Sequence, residues 1–249
     1  MGLSNVTRFH GSNDTSLFRC VLFFFRAMDF LTSELLGVEE TLQLTSELTN
    51  RESIWLDGRL TAGEHAALVK HNRQLDPSLP LARSIAEIVE QKIIDSPLLK
   101  SFALIRRVHS ILISRSEVGD GYGWHVDNPF SKHGRRDLSF TLFLSDLSDY
   151  EGGELTFQLL QGSKEIRLPA GQIILYPSSS LHCVQPISSG VRLVCVGWIE
   201  SYIQSTEDRS LLFNLDAGAK GLLARHGRSD ELDLIFQAYA NAVRRLSGR

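Results

Sequence analysis

What this chain has little of narrows the field first. It carries only three cysteines in 249 residues, Cys20, Cys183 and Cys195. The number is odd and the spacing fits no metal knuckle, which excludes a disulfide scaffold or a zinc ribbon. A reducing, cytoplasmic setting is expected. No apolar run approaches the roughly 18 residues that a membrane helix requires. The nearest, Val21 to Phe25, is short, flanked by Arg19 and Arg26, and followed by no small-residue cleavage site, so a membrane association or signal peptide is not expected. Positive charge is not in excess: 26 Lys+Arg against 29 Asp+Glu leave a net charge of −3, no footprint for nucleic acid. Internal repeats and low-complexity tracts are absent too. What is present is an average globular composition, 43% hydrophobic and 22% charged, in a chain long enough to bury a core without staples.

Periodicity divides the chain. Residues 1–27 precede Met28, where the first amphipathic pattern begins; they read as an N-terminal extension or an over-called start and are left out of the fold argument. Residues 28–103 read as helical. From Asp29 to Asn50, Leu31, Leu35, Val38, Leu42 and Leu44 recur at three- and four-residue steps. Thr61-Ala62-Gly63-Glu64 has the form of a capping box before a short helix. Leu81, Ile85, Ile88, Val89 and Ile93 make a second stripe, ended at Pro97. Over residues 104–203 the texture changes to short strands separated by turn signals: 105–113, 138–144, 154–160, 165–168, 172–176, 182–185 and 192–203. Without crossover helices they predict an antiparallel sandwich or barrel. Over 204–249 the helical period returns, with Leu211, Leu212, Leu215, Leu222 and Leu223 on one face and Gly227 as C-cap. A last stripe follows at Leu232, Ile235, Phe236, Tyr239, Val243 and Leu246. These C-terminal stripes either cap the barrel or pair between subunits of a homo-oligomer. The class is α+β, with the sheet as the chemical centre.

The informative stretch is Tyr122-Gly123-Trp124-His125-Val126-Asp127. On a strand, residues two apart share a side, so His125 and Asp127 point an imidazole and a carboxylate at one place; the bland alternative is a strand-end His beside a solvated Asp. His182, in Tyr176-Pro177-Ser178-Ser179-Ser180-Leu181-His182, supplies a third donor. Two His and one carboxylate leave open positions on an octahedron, the pattern of non-haem Fe(II) oxygenases and not of closed zinc sites. Ten residues on, Arg192 opens a strand on which Arg192, Val194, Val196 and Trp198 alternate to one side. A lone Arg at a strand start is ordinarily a surface charge; here it would face the same interior as His182 on a neighbouring strand. A buried guanidinium there calls for a carboxylate.

His125-x-Asp127, Glu151-Gly152-Gly153-Glu154-Leu155, Gly171 with Tyr176 to His182, Gly190-x-Arg192 and Val196-Gly197-Trp198 together closely resemble the 2-oxoglutarate/Fe(II)-dependent dioxygenases. Within them the chain looks like the bacterial PKHD-type hydroxylases, relatives of the prolyl 4-hydroxylase catalytic domain. The resemblance is strongest over residues 104–203. It extends more loosely through Trp55-x-Asp57-Gly58-Arg59 and Val69-Lys70-x-Asn72 to Leu223-Ala224-Arg225-His226-Gly227. It implies a double-stranded β-helix, or jelly roll, flanked by helices. It also implies Fe(II) on His125, Asp127 and His182, 2-oxoglutarate on Arg192, O2 as oxidant and L-ascorbate in support. The reaction it implies yields succinate, CO2 and a hydroxylated substrate. Relatives often carry an Arg-Tyr pair upstream, where this chain reads Arg115-Ser116, so Tyr122 or a water would replace that hydroxyl. Trp198 matches a Trp that lines the cosubstrate pocket in prolyl hydroxylases, and equally fits a core aromatic.

Other residues have plainer readings. Cys183 alternates away from His182 into the core, and His109 is a hydrogen-bonded structural His. His133, Arg135 and Arg136 read as solvated surface in preference to a lid over an acidic substrate. Ser178 to Ser180 lack a nucleophile elbow, and Gly119-x-Gly121-x-Gly123 lacks the helix of a phosphate cradle. The alternatives to an oxygenase are a non-catalytic iron or 2-oxoglutarate sensor and a zinc hydrolase on the same three ligands. The prime substrate is not legible, because specificity sits on other loops.

Overall fold

The computed structural model describes residues 30–49, 54–61 and 67–248; the expectations for residues 1–27 and for the capping box beyond Thr61 lie outside these. The chain opens with β1 (Leu31–Glu34), α1 (Val38–Thr49), β2 (Trp55–Asp57), a short 3-10 turn (Gly58–Thr61), β3 (Lys70–His71) and β4 (Arg73–Leu75). Helices α2 (Pro80–Asp95) and α3 (Pro97–Ala103) lead into the long strand β5 (Ile105–Ser116). Then come β6 (Gly121–His125), β7 (Phe130–Ser131), β8 (Gly134–Arg135), β9 (Leu138–Phe143) and β10 (Tyr150–Gly152). Strands β11 (Leu155–Leu159), β12 (Gly162–Ile166), β13 (Gln172–Pro177), β14 (His182–Val184), β15 (Ile187–Gly190) and β16 (Arg192–Ser201) complete the β region. Helices α4 (Thr206–His226) and α5 (Asp230–Ser247) close the chain.

The helix expected from Asp29 begins only at Val38. Leu31–Glu34 instead pairs antiparallel with β13, Leu31 opposite Leu175. The leucine spacing there matched a helix by coincidence; pairing on the sheet edge buries Leu31, while Val38 and Leu42 stand exposed. Of the stripe on α2, Ile85, Val89 and Ile93 are buried together with Ala82, and Leu81 packs partly buried against them, but Ile88 is exposed. Pro97 does not end the helical region but starts α3 at its first turn, where proline lacks nothing. Ser96 caps it by accepting from the Leu99 N–H.

The strands form two principal antiparallel sheets. The larger runs β1-β13-β9-β16-β5-β4-β2 and the smaller β12-β11-β14-β6-β3. Their inner faces share a core of Phe143, Leu155, Phe157, Ile166, Ile174, Tyr176 and Val194. The outer face of the larger sheet, with Leu138, Phe140, Leu142, Ile173, Leu175, Leu193 and Cys195, packs on α2 and α3 through Ile85, Val89, Ile93 and Leu99. Sheet strands buried on both faces read as near-continuous apolar runs, which is why β9 and β13 were easy to find. On β16 the alternation sends Leu193 and Cys195 toward the helices and Arg192 and Val194 inward. Strand β5 carries a bulge opposite this strand: Val196 pairs Leu112 but Trp198 pairs His109. Ser110, in the bulge, sits at φ 55°, and such bulges commonly re-aim a side chain beside a site.

The C-terminal helices differ in part from their predicted faces. Gly227, at φ 74°, caps α4 by donating its N–H to the Leu223 carbonyl. Yet α4 buries Arg209, Leu212, Phe213, Asp216 and Ala219, while Leu211, Leu222 and Leu223 face solvent. Two polar members of that face are tied down: Arg209 donates to the carbonyls of Ile203 and Gln204, and Asp216 accepts from Ser101. Among the described residues no helix is long and apolar enough to cross a membrane.

Candidate active site

The two sheets meet at a pocket that gathers every predicted site residue. His125 ends β6 and His182 begins β14, and the two are direct cross-strand partners, their rings 4.2 Å apart between centroids. Asp127 lies just past the strand end, not on it, and still delivers its carboxylate to the same point. One donor atom from each of His125, Asp127 and His182 lies within 4.8 Å of the others.

The supporting contacts fix which atoms are free. The Nδ1 of His125 lies 2.8 Å from the Gly123 carbonyl, and that of His182 lies 2.9 Å from the Ser180 carbonyl. A carbonyl accepts only, so both Nδ1 atoms carry a proton and both Nε2 atoms face the pocket, that of His182 with the Tyr176 hydroxyl 3.4 Å away. Burial, then the neighbouring His182, pushes the His125 pKa down to about 4, so the ring is neutral, as a metal ligand must be. On Asp127, Oδ2 accepts from the Ser139 hydroxyl and from the Trp198 indole N–H at 3.0 Å. Ser139 is in turn 2.8 Å from the Ser178 hydroxyl. This leaves Oδ1 directed at the imidazoles, 4.0 Å from the His125 Nε2. Two imidazole nitrogens and one carboxylate oxygen, each oriented by a second partner, fit a divalent iron with open coordination positions.

Arg192 is 3% exposed and faces the pocket from β16. It stands on the sheet opposite His182, not on a neighbouring strand as the sequence suggested, because β14 belongs to the smaller sheet. Burial lowers its pKa, and the Tyr150 hydroxyl is the chief group opposing that shift. Its Nε and the Tyr150 hydroxyl are both buried without a hydrogen-bond partner. Ser116 is its register partner on β5 and lines the pocket. Tyr122 stacks on His125 with 3.5 Å between centroids. Trp198 is thus a pocket residue bonded to Asp127, and not a plain core aromatic.

Two expectations for the remaining residues hold and one does not. Cys183 is buried, and His109 is buried with its Nε2 2.8 Å from the Arg135 carbonyl. Arg136, read as solvated surface, instead lies over the Trp198 ring with its guanidinium 3.9 Å from the centroid and lines the pocket. The short hairpin of β7 and β8 turns it inward while its neighbour Arg135 pairs with Asp137 and Glu200. Sequence reasoning also missed one wall of the pocket, formed by Thr61, Lys70, Asn72 and Gln74. The signal was there: Lys70, Asn72 and Gln74 alternate at the two-residue period of a strand face.

A jelly roll carrying this donor set at its mouth has the architecture of the non-haem Fe(II) oxygenases. The sequence profile of the 2OG-Fe(II) oxygenase superfamily matches residues 111–200. A PKHD-type hydroxylase of Synechococcus sp. (strain CC9605) is 62% identical over 221 residues, covering 88% of this chain and 100% of the relative. One from Prochlorococcus marinus (strain MIT 9211) is 54% identical over 219 residues, covering 88% and 99%. Among solved structures, a Pseudomonas putida prolyl-4-hydroxylase superposes with a TM-score of 0.52 at 18% identity, over 74% of this chain and 98% of that one. A Trichoplax adhaerens prolyl hydroxylase, in complex with a hypoxia inducible factor peptide, gives 0.54 at 17%, over 79% and 92%. At these identities the structures speak for the fold. The chain belongs to the 2OG-Fe(II) oxygenase superfamily and, within it, to the PKHD-type hydroxylases. It is a 2-oxoglutarate-dependent dioxygenase that uses Fe(II), 2-oxoglutarate and O2, couples decarboxylation of the cosubstrate to succinate and CO2, and hydroxylates a second substrate.

Proposed function

We propose that His125, Asp127 and His182 hold the Fe(II), that Arg192 binds the distal carboxylate of 2-oxoglutarate, and that Trp198 and Tyr122 line the cosubstrate pocket. The observation that carries this reading is the orientation of the three donors. Each has its second heteroatom committed elsewhere, to Gly123, to Ser180, or to Ser139 and Trp198, so the remaining three atoms converge. When bound, Fe(II) supplies the redox chemistry that activates O2. The chain's own residues do the rest. The backbone carbonyls hold the imidazole tautomers, Trp198 and Ser139 fix the carboxylate, and Arg192 supplies a fork for an anion in a poorly hydrated pocket. L-ascorbate sustains turnover in this reading by keeping the iron reduced.

His125→Ala, Asp127→Ala and His182→Ala are each expected to lose bound iron and abolish succinate release. Iron content by mass spectrometry, read beside succinate production, tests it; a His182→Ala protein with wild-type iron content and activity would sink the assignment.

The same reading takes residues 104–203 as the dioxygenase core, with 28–103 and 204–249 built around it and 1–27 as an extension. A cytoplasmic location is supported by Cys183 and Cys195, which are buried free thiols. Self-association through the C-terminal helices is supported by the exposed Leu211, Leu222, Leu223 and Leu234. Sedimentation of the full chain tests that last point, a monomer at all concentrations excluding it.

A further inference from the structure

Once the triad and Arg192 have their roles, two cations in the same pocket remain without any. Lys70 is 6% exposed, with its Nζ 3.2 Å from the Thr61 hydroxyl and 5.3 Å from the centroid of the Tyr122 ring. Arg136 lies over Trp198, and its Nε is buried with no hydrogen-bond partner. Each cation therefore stands one aromatic ring behind a metal ligand: Lys70 behind Tyr122 and His125, Arg136 behind Trp198 and Asp127. Neither forms an ion pair among the described residues, whereas the adjacent Arg135 meets both Asp137 and Glu200.

The charge balance is what makes them informative. Fe(II) and doubly charged 2-oxoglutarate cancel, as do Asp127 and Arg192. Asp127 is the carboxylate whose charge acts on both spare cations, with Asp57, itself paired to Arg59, acting also on Lys70, and the iron would take the charge of Asp127. Lys70 and Arg136 would then be left as a net surplus of positive charge in a largely buried pocket. Burying charge without a partner is costly, so such groups are paired in the working state. Both carboxylates of 2-oxoglutarate are already committed, one at the metal and one at Arg192, so the missing anion must come from elsewhere.

We propose that the prime substrate of this hydroxylase is anionic and presents an oxyanion, a carboxylate or a phosphate, to Arg136 and Lys70. The inference rests on the reading of the triad and Arg192 given above. A guanidinium stacked on an indole keeps its edge N–H groups free for bidentate contact with such a group, and Lys70 adds a second charge without a fixed geometry. Thr61 and Gln74, 2.6 Å apart, and Asn72, 2.6 Å from Ser114, make the wall beside Lys70 polar but neutral, so oxyanion recognition falls to the two cations.

The test uses full-length protein loaded with Zn(II) and saturating 2-oxoglutarate, which cannot turn over. Three probes are titrated by ligand-observed NMR: N-acetylglycine, methyl phosphate and the neutral N-acetylglycinamide. At least one anion is expected to bind roughly tenfold or more tightly than the amide, as for a charge-assisted contact in a desolvated site. Preference for N-acetylglycine assigns a carboxylate substrate and preference for methyl phosphate a phosphorylated one. Arg136→Gln and Lys70→Met should each remove most of that preference, and Arg136→Lys should keep part of it. Equal binding of all three probes overturns the proposal, as does an anion preference that survives both substitutions. A fall in 2-oxoglutarate affinity that matches the loss of anion preference in Arg136→Gln also overturns it, by placing Arg136 in the cosubstrate site. Failure of 2-oxoglutarate to bind the Zn(II)-loaded wild type overturns the underlying reading as well, and is seen before any probe is added.

Discussion

Arg192 and Lys70 are both cations that burial works against, and the two respond to substitution in opposite ways. Truncating Arg192 would leave a cosubstrate carboxylate unpaired in the pocket, a loss that typically costs ~2–5 kcal/mol, or roughly 30-fold and upward in affinity. Arg192→Ala is therefore expected to raise the apparent KM for 2-oxoglutarate by at least that factor with iron binding near normal. Arg192→Lys should lose less, since charge survives without the fork. Succinate release measured against 2-oxoglutarate concentration decides it, and an unchanged KM would move the anion site elsewhere. For Lys70, burial pushes the pKa down to about 8 from 10.5, opposed by Asp127 and then Asp57. Below pH 8 the folded and unfolded chains both carry the ammonium and the whole burial penalty is felt. Between about 8 and 10.5 the folded chain sheds the proton first, so wild-type stability rises with pH. Lys70→Met should thus stabilise the metal-free protein at pH 7, by on the order of 1–3 kcal/mol, and the gain should shrink at pH 9.5. Urea unfolding at the two pH values checks this; a variant no more stable than wild type at pH 7 would refute it. At this scale the residues proposed to bind iron and cosubstrate are legible in the sequence because H-x-D, a distant His and an Arg are chemically unusual together. Arg136 was not, because a basic residue in a polar loop looks like surface until a hairpin turns it inward.

The turn Glu151-Gly152-Gly153 shows how an element serves the site. Gly153 sits at φ 66°, and a Cβ there would come within 2.8 Å of the Arg192 Cδ and 2.4 Å of the Ile187 Cδ1. Gly153→Ala is accordingly expected to destabilise the fold by ~1–3 kcal/mol and to weaken 2-oxoglutarate binding while leaving metal affinity near wild type. Calorimetric titration of both ligands separates these effects, and unimpaired 2-oxoglutarate affinity would show that the turn does not position Arg192. Six of the seven expected strands lie close to where they are read, since alternation and β-branched runs persist when a strand is buried; the seventh, expected at 165–168, runs instead over Gly162–Ile166, because its exposed residues show no apolar alternation. Short pieces such as β10 and β15 were hidden among turn signals, because a three- or four-residue strand is too brief to show a period. The first strand is not distinguishable from a helix in the sequence, because four residues with one buried leucine fit either period. The face of α4 differs from its apolar pattern because two of its buried positions are charged: Arg209 is satisfied by the carbonyls of the preceding loop and Asp216 by Ser101, far away in sequence.

At the scale of the whole molecule, a chain starting at Met28, where the first amphipathic pattern begins, is expected to fold and turn over like the full-length one. Loss of soluble protein on that truncation would show that residues 1–27 belong to the domain. The larger sheet is the molecule's spine, with α2 and α3 on one face and the pocket on the other. The smaller sheet brings both histidines, yet the carboxylate that completes the donor set is gripped from across the gap, by Ser139 on β9 and Trp198 on β16. A bound ion would therefore act as a rivet through two plates, joining strands that share no backbone hydrogen bonds. Hydrogen exchange should report this: adding Zn(II) to metal-free protein is expected to slow amide exchange in β9 and β16, strands that hold no metal ligand, as well as in β6 and β14. In Trp198→Phe the slowing should persist on the histidine side and fade on the spine. Protection confined to β6 and β14 in the wild type would mean that the plates are already locked without the rivet. If the spine does respond, metal occupancy sets how freely the two halves of the sandwich part, and iron scarcity would leave a looser protein, more open to proteases, as well as an idle one.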